Sequence, residues 1–323
     1  MQERNNLHVA PFSTTRSFAR SWFGDLALFM ALSRTPHCLL DLTTPVLTAL
    51  LWLGSVPPVR TLWLGIFTAF AGYTAVYAMN DLIDLRTDRQ RFEKKVFSEK
   101  PFDLDAAIMR HPVASGMLSP LKAILWTLAW AIAALAGAWV LNPFCIIIFV
   151  VACLLEALYC IAWQSSCMKV FVSGAVKTAG PIAAIYAVDP DPSSSFVALV
   201  FFWLFSWEIG GQNIPNDFAD VNEDKDLNAS TLPVRFGPAF SSDVILLSLC
   251  STLYFAIATI THSKIPNNFI YAAMSIFIGM YLLIIPALHL NLVKTDQAAS
   301  TLFNRASYYP AAMLLVTAAG SLL

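Results

Sequence analysis

The chain has 323 residues, 57% hydrophobic and 13% charged, with a mean hydropathy of +0.63. Soluble domains carry about a quarter charged residues, so this composition excludes an ordinary soluble fold and predicts an all-α integral membrane protein. A formal net charge of −1 leaves no electrostatic argument for a nucleic-acid partner.

The first 20 residues are polar with scattered arginines and lack the apolar core of a cleavable signal. Residues 18–33, FARSWFGDLALFMALS, read as an amphipathic or partly inserted lead-in helix, so residues 1–35 are expected to form a cytoplasmic segment before a membrane domain at 36–323. Apolar stretches of spanning length follow at 36–55, 61–80, 121–141, 143–163, 170–189, 196–215, 243–262, 268–290 and 303–322. They predict nine transmembrane helices around a central cavity. Pro57-Pro58, Asn142-Pro143 and the run Asp189-Pro190-Asp191-Pro192 punctuate short loops. With the N-terminus cytoplasmic, 18 of the 20 Lys and Arg residues fall inside, and only Arg60 and Lys264 fall outside. The expected C-terminus is therefore on the opposite side. The six cysteines include no CxxC pair and mostly sit in apolar runs, where they read as small buried hydrophobes.

The second expected span ends in NDLIDLRTD, Asn80 to Asp88, and the sixth ends in NDFADVNED, Asn216 to Asp224, 136 residues later. Steps of three and four residues return to one helix face, so Asp81, Asp84 and Asp88 form one acidic stripe and Asp217, Asp220 and Asp224 another. Carboxylates packed this closely repel unless a cation sits among them. Two facing stripes would make a cage of hard oxygen ligands, suited to Mg²⁺ bridged to a diphosphate rather than to zinc or copper. Asn80 and Asn216, at the same offset in each copy, can add carbonyl oxygens or cap a helix. The tracts are four spans apart, which preserves orientation and predicts a parallel internal repeat of four-helix units with both tracts cytoplasmic.

Intramembrane charges are costly and usually functional, which singles out Asp41, Glu156 and Glu208. Glu208, Gln212, Asn216 and Asp220 recur every four residues, a polar stripe that would climb from the acidic tract into the membrane. It could line a cavity or simply hydrogen-bond neighbouring helices. Arg34 and Asp41 lie seven residues apart on one face and could orient a polar acceptor. The mixed-charge segment 89–119 offers Arg89, Arg91, Lys94, Lys95 and Arg110 as diphosphate ligands, with Asp103 capping a short helix through Arg110; alternatively it is a solvated positive-inside loop.

These residues resemble the UbiA-type intramembrane prenyltransferases. NDLIDLRTD is similar to the family's NDxxDxxxD motif and NDFADVNED to its DxxDxxxD motif, while HPVASG at 111–116 resembles RPxxSG and TLPVRFG at 231–237 matches TxPVxxG. Tyr159 followed by Lys169 and Lys177, and the SRTP run at 33–36, resemble further family positions, so the likeness spans about residues 33 to 240. Two departures stand out: His111 replaces the family's Arg before Pro, and the stretch from Asp88 to Pro112 is longer by roughly a dozen residues. The resemblance implies a nine-spanning, Mg²⁺-dependent enzyme that moves an isoprenoid from its diphosphate to a small-molecule acceptor, often an aromatic ring or quinone precursor. Asp81, Asp84, Asp217 and Asp220 would drive ionisation, and Tyr159 would shield the cation. Arg34, Lys169, Lys177 and Arg110, with Asp41 and Gln212, would hold the substrates. A terpene cyclase of the same family would use the same ionisation without an acceptor. A cation transporter should instead place its carboxylates near the midplane.

Overall fold

The computed structural model describes residues 22–94, 104, 107–163, 165–265 and 268–322, and among these every regular element is helical. Asp103 and Lys95 lie outside the described residues, as do residues 18–21 of the lead-in segment.

The lead-in helix is α1 (Trp22–Leu32). The first expected span is two helices, α2 (Thr35–Asp41) and α3 (Thr43–Leu53), joined at Leu42. Arg34, before α2, adopts a left-handed conformation (φ 42°), and Pro36 then sets the first turn. The first acidic tract divides between α4 (Val59–Ile83) and α5 (Leu85–Lys94). Two hairpin helices follow, α6 (Pro120–Leu141) and α7 (Pro143–Ala162). Each begins with a proline after a capping side chain: Ser119 accepts from the Lys122 N–H at 3.4 Å and Asn142 from the Phe144 N–H at 2.9 Å. After α8 (Lys169–Val188), the sixth expected span is α9 (Ser194–Trp207), a π-helical turn at Glu208–Asn213, and α10 (Ile214–Ala219). The second tract continues into α11 (Val221–Asp226). Helix α12 (Leu232–Ile260) bends at Gly237 (φ 81°) and Pro238. Helix α13 (Asn268–Gly279) passes through a second π turn, Met280–Ile284, into α14 (Ile285–Val293). The chain ends with α15 (Asp296–Ser307) and α16 (Tyr309–Leu322). Eight helical segments among the described residues are long and apolar enough to cross a membrane. The expected ninth, 303–322, is divided between α15 and α16 at Tyr308, just before Pro310.

Lipid is the solvent here, so large apolar side chains point outward. On α7, Ile147, Leu154 and Ile161 are exposed while Cys145, Ala152 and Glu156 face inward. The bundle is closed on one side and open on the other. Where α9, α15 and α16 meet, the buried indoles of Trp203 and Trp207 donate to the Tyr309 hydroxyl (3.1 Å) and the Ala306 carbonyl (3.0 Å). The π turn is pressed between α12 and α15: a Cβ on Gly210 would stand 2.9 Å from the Ile245 carbonyl, too close without a shift, and one on Gly211 would stand 3.0 Å from the Ala306 methyl, a tight contact. Between α3, α4, α6, α7 and α8, small side chains such as Gly65, Gly72, Ala138 and Gly180 instead leave a cavity.

Candidate active site

The two acidic tracts share a local design. Helix α4 ends at Asp84 (φ −80°, ψ 0°) and α10 at Asp220 (φ −101°, ψ 13°), so each tract bends at its middle Asp. The bend does not scatter the carboxylates. The i to i−4 bonds run through both bends: Asp84 N–H to Asn80 (3.0 Å) and Asp88 N–H to Asp84 (2.9 Å), Asp220 N–H to Asn216 (3.1 Å) and Asp224 N–H to Asp220 (2.9 Å). Four-residue spacing is thus preserved. All six aspartates line one cavity of about 120 Å³.

Basic side chains enter this cavity from four places. Lys169 at the start of α8 is only 1% exposed; its Nζ lies 2.8 Å from Asp217 Oδ1 and donates to the Tyr159 hydroxyl at 3.3 Å. His111 Nδ1 lies 2.8 Å from Asp81 Oδ1 and 2.9 Å from Asp88 Oδ2. Arg91 bridges the tracts, 3.3 Å from Asp88 Oδ1 and 3.9 Å from Asp224 Oδ1. Arg110 lies 3.8 Å from Asp220 Oδ2 and 3.4 Å from Glu223 Oε1. Burial pushes Asp84 up to about 6, with the Asp88 charge adding and Arg34 and Arg91 opposing. Burial and then the Asp217 charge raise Asp224 to about 7. Burial would also raise Asp88, but the His111 hydrogen bond and charge, with Arg91, hold it below the ordinary carboxylate range. Burial works against a charge on His111; its bonds to Asp81 and Asp88 outweigh that and raise its pKa. The buried Oδ2 atoms of Asp81, Asp217 and Asp224 have no hydrogen-bond partner among the described residues. Orphaned hard oxygens of this kind, converging from two tracts, fit a divalent cation.

A second, mostly apolar cavity of about 260 Å³ runs from this polar chamber along α4 toward its start at Pro57 and Thr61. Arg34, Asn80, Tyr159 and Asn216 line both and mark the junction. Asn80 accepts from Arg34 (3.0 Å) and donates to Glu156 Oε1 (2.7 Å). The Tyr159 hydroxyl also accepts from Asn213 at 3.0 Å. Deeper in this cavity is a buried charged group. Lys177 Nζ lies 2.7 Å from Asp41 Oδ1 and 3.9 Å from Glu208 Oε2. Ser173 donates to Glu208 at 2.7 Å, the Tyr77 hydroxyl donates to Asp41, and His37 Nε2 is 3.7 Å from Asp41 Oδ1.

Of the substrate-holding cations that the resemblance implies, Lys177 lies away from the acidic tracts, and its ammonium pairs with Asp41 in the deep cavity. Arg34 sits at the junction beside Asn80, and the close neighbours of Asp41 are Lys177, Tyr77 and His37. Gln212 lines the deep cavity while donating to the Ser307 hydroxyl at 3.2 Å. His37, Tyr77 and Asn213 had no role assigned from sequence. His37 falls one helical turn before Asp41, which is a readable signal; Asn213 had none, because the π turn brings it to Tyr159.

The fold is similar to several solved structures. A digeranylgeranylglyceryl phosphate synthase superposes with a TM-score of 0.66 at 18% identity, covering 92% of this chain and 98% of that one. A UbiA homologue from Archaeoglobus fulgidus, solved bound to GPP and Mg²⁺, gives 0.65 at 15% identity over 90% and 99% of the two chains. An apo UbiA homologue from Aeropyrum pernix K1 gives 0.64 at 17% identity over 88% and 97%. No curated protein sequence matches. The sequence model of the UbiA prenyltransferase family matches residues 42–308, and with that match, two bent acidic tracts and an apolar cavity behind them, the chain belongs to the UbiA prenyltransferase family.

Proposed function

We propose that the protein is a Mg²⁺-dependent membrane prenyltransferase that moves an isoprenoid group from its diphosphate to a small, polar acceptor of the phenol or quinone-precursor class. The observation that carries this reading is the junction of the two cavities. A charged head fits the aspartate-lined chamber, and an apolar tail fits the 260 Å³ cavity that opens from it past Asn80 and Tyr159.

The residues suited to hold Mg²⁺ are Asp81, Asp84, Asp88, Asp217, Asp220 and Asp224, with Asn80 and Asn216 beside them. Bound there, Mg²⁺ neutralises diphosphate charge and stabilises it as a leaving group. Lys169, Arg91 and Arg110 orient the diphosphate oxygens and share their charge. When the C1–O bond breaks, its electron pair leaves with the diphosphate. The allylic cation then lies at the junction, where the Tyr159 ring offers its π face. The cavity walls exclude water that would otherwise capture the cation. The acceptor binds at the deep charged group, where Asp41 and its neighbour His37 orient it and take up the proton it loses on forming the new bond.

That charged group favours transfer over cyclisation, since a cyclase quenches its cation within its own chain and needs no polar cradle. The family-level alternative predicts hydrocarbon or alcohol products without acceptor. The protein in bilayer discs, given labelled prenyl diphosphates of graded length and an acceptor panel, should yield label joined to acceptor. Cyclic product formed equally with and without acceptor overturns the reading. We also propose that the N-terminus and the acidic chamber are cytoplasmic and the C-terminus opposite, on the bias of 18 of 20 basic residues. Cysteines placed at Asn228 and Asp191 should label from opposite faces of intact cells; labelling from one face overturns this orientation.

A further inference from the structure

We propose that His111 is a nitrogen ligand to the divalent cation at the first acidic tract, making a mixed Asp81–Asp88–His111 centre that takes Mn²⁺ more tightly than Mg²⁺. The proposal rests on the reading of the tracts as a metal cage.

The geometry comes first. One ligand atom each from Asp81, Asp88 and His111 lies within 4.8 Å of the others. His111 Nδ1 stands 2.8 Å from Asp81 Oδ1 and 2.9 Å from Asp88 Oδ2. Neighbouring ligands on an octahedral ion with bonds of about 2.1 Å are about 3.0 Å apart, so the two distances from His111 need only small outward shifts to receive one. Asp81 is 4% exposed, and its Oδ2 has no hydrogen-bond partner among the described residues. A buried carboxylate oxygen left open beside an imidazole is an incomplete polar site.

The backbone is built to present this ring. His111 has φ 47°, a left-handed conformation made harder by the proline that follows it. The turn after it is fixed by Ser115 N–H to His111 (3.0 Å) and Leu118 N–H to Pro112 (3.0 Å). Val113, 1% exposed, is anchored in an apolar cluster with Leu32, Ala78 and Leu118. Such conformations persist where surrounding structure over-determines them, and they collect at functional sites.

The chemistry separates the two tracts. Mg²⁺ prefers oxygen, whereas imidazole nitrogen strengthens binding of transition-series ions. Lys169, which meets the corresponding Asp217, is a cation with no free lone pair and cannot ligate. The nitrogen ligand therefore belongs to the first tract alone. The competing view makes His111 a charged spacer that pairs with both aspartates and leaves when the metal arrives.

The full chain in bilayer discs, unlabelled and with ¹⁵N-histidine, titrated with Mn²⁺ and examined by pulsed EPR, decides between them. The expected result is a nitrogen coupling on bound Mn²⁺ that changes with ¹⁵N-histidine and disappears in His111→Gln. The Mn²⁺ Kd should rise in that variant by about tenfold or more, while the Mg²⁺ Kd changes much less. The wild-type spectrum needs no variant to be read. A thermal melt confirms that His111→Gln is folded. Mn²⁺ bound in an Asp81-dependent way without nitrogen coupling overturns the role of His111 and leaves the cage standing. No bound Mn²⁺ at all overturns both.

Discussion

The two acidic tracts have the same spacing, the same bend at the middle Asp and the same backbone bonds, yet their leading carboxylates meet different partners. Asp217 is paired with Lys169, 1% exposed and cationic. Asp81 is paired with His111, whose charge depends on a proton that can leave. At Asp217 the counter-charge is fixed before any ligand arrives. At Asp81 it is exchangeable, and the fixed charge of the first tract, Arg91, stands at Asp88 instead. Equivalent motifs can thus be set up for unequal tasks by what the rest of the chain brings to them.

The severest test of equivalence removes one carboxylate from each side. Asp81→Asn and Asp217→Asn should each lower diphosphate release on the order of 10³-fold, because each removes charge stabilisation at the leaving group. Near-normal turnover in either variant, measured with labelled allylic diphosphate, would make that tract dispensable and break the comparison.

Next in size are the partners themselves. Lys169→Met leaves a buried carboxylate without its cation and should destabilise the fold by about 3–5 kcal/mol, with part of the loss recovered in the Lys169→Met/Asp217→Asn double variant. His111→Gln should cost less, and saturating divalent metal should restore it. Thermal or denaturant unfolding with and without metal compares the two; equal losses that metal leaves unchanged would erase the distinction drawn between them.

A smaller effect is expected from pH. Asp84 and Asp224 are raised to about 6 and about 7, and His111 is raised as well. Asp224, near 7, is about half protonated at neutral pH and Asp84 gains its proton as pH falls toward 6, so metal affinity should fall as pH drops from 8 toward 6, with protons released on binding. Calorimetry in buffers of different ionisation heat reads that release directly, and an affinity flat across this window would contradict it.

The mildest expected effect lies away from both tracts. Asp41→Ala should raise acceptor KM about tenfold or more while sparing prenyl diphosphate binding, because the diphosphate head is held in the polar chamber, which Asp41 does not line. Separate isotherms for the two substrates check this; equal loss of both would tie Asp41 to general folding.

The tracts were legible because carboxylates at three- and four-residue steps converge on any helix, bent or straight. The spans were legible by length and apolarity, and the split at Tyr308 had a visible signal in Pro310. The partners of the tracts were harder to read. His111 reaches Asp81 across 30 residues of mixed composition, and no periodicity encodes that approach. Lys169 opens α8 and Lys177 lies about 12 Å further along its axis, so their depths were readable from spacing. That both turn inward, to Asp217 and to Asp41, depends on how α8 is rotated against its neighbours. The π turn was also invisible, since no periodicity marks it; it sits where α12 and α15 closely approach Gly210 and Gly211.

That turn has a consequence for how the sixth span tolerates change. A π turn holds one residue more than the α-helical path between the same ends. Asn213 can therefore bond Tyr159 while Gln212, its neighbour in sequence, bonds Ser307 on α15. The chain's residue count between Trp207 and Ile214 fixes the rotational phase of everything downstream. Relaxation of the segment into plain α-helix at the same residue count would turn the whole second tract by about 100° about its axis. Three aspartates would then face away from the chamber with no carboxylate altered. The alignment of the site is stored in the length of this segment as much as in the identity of its side chains.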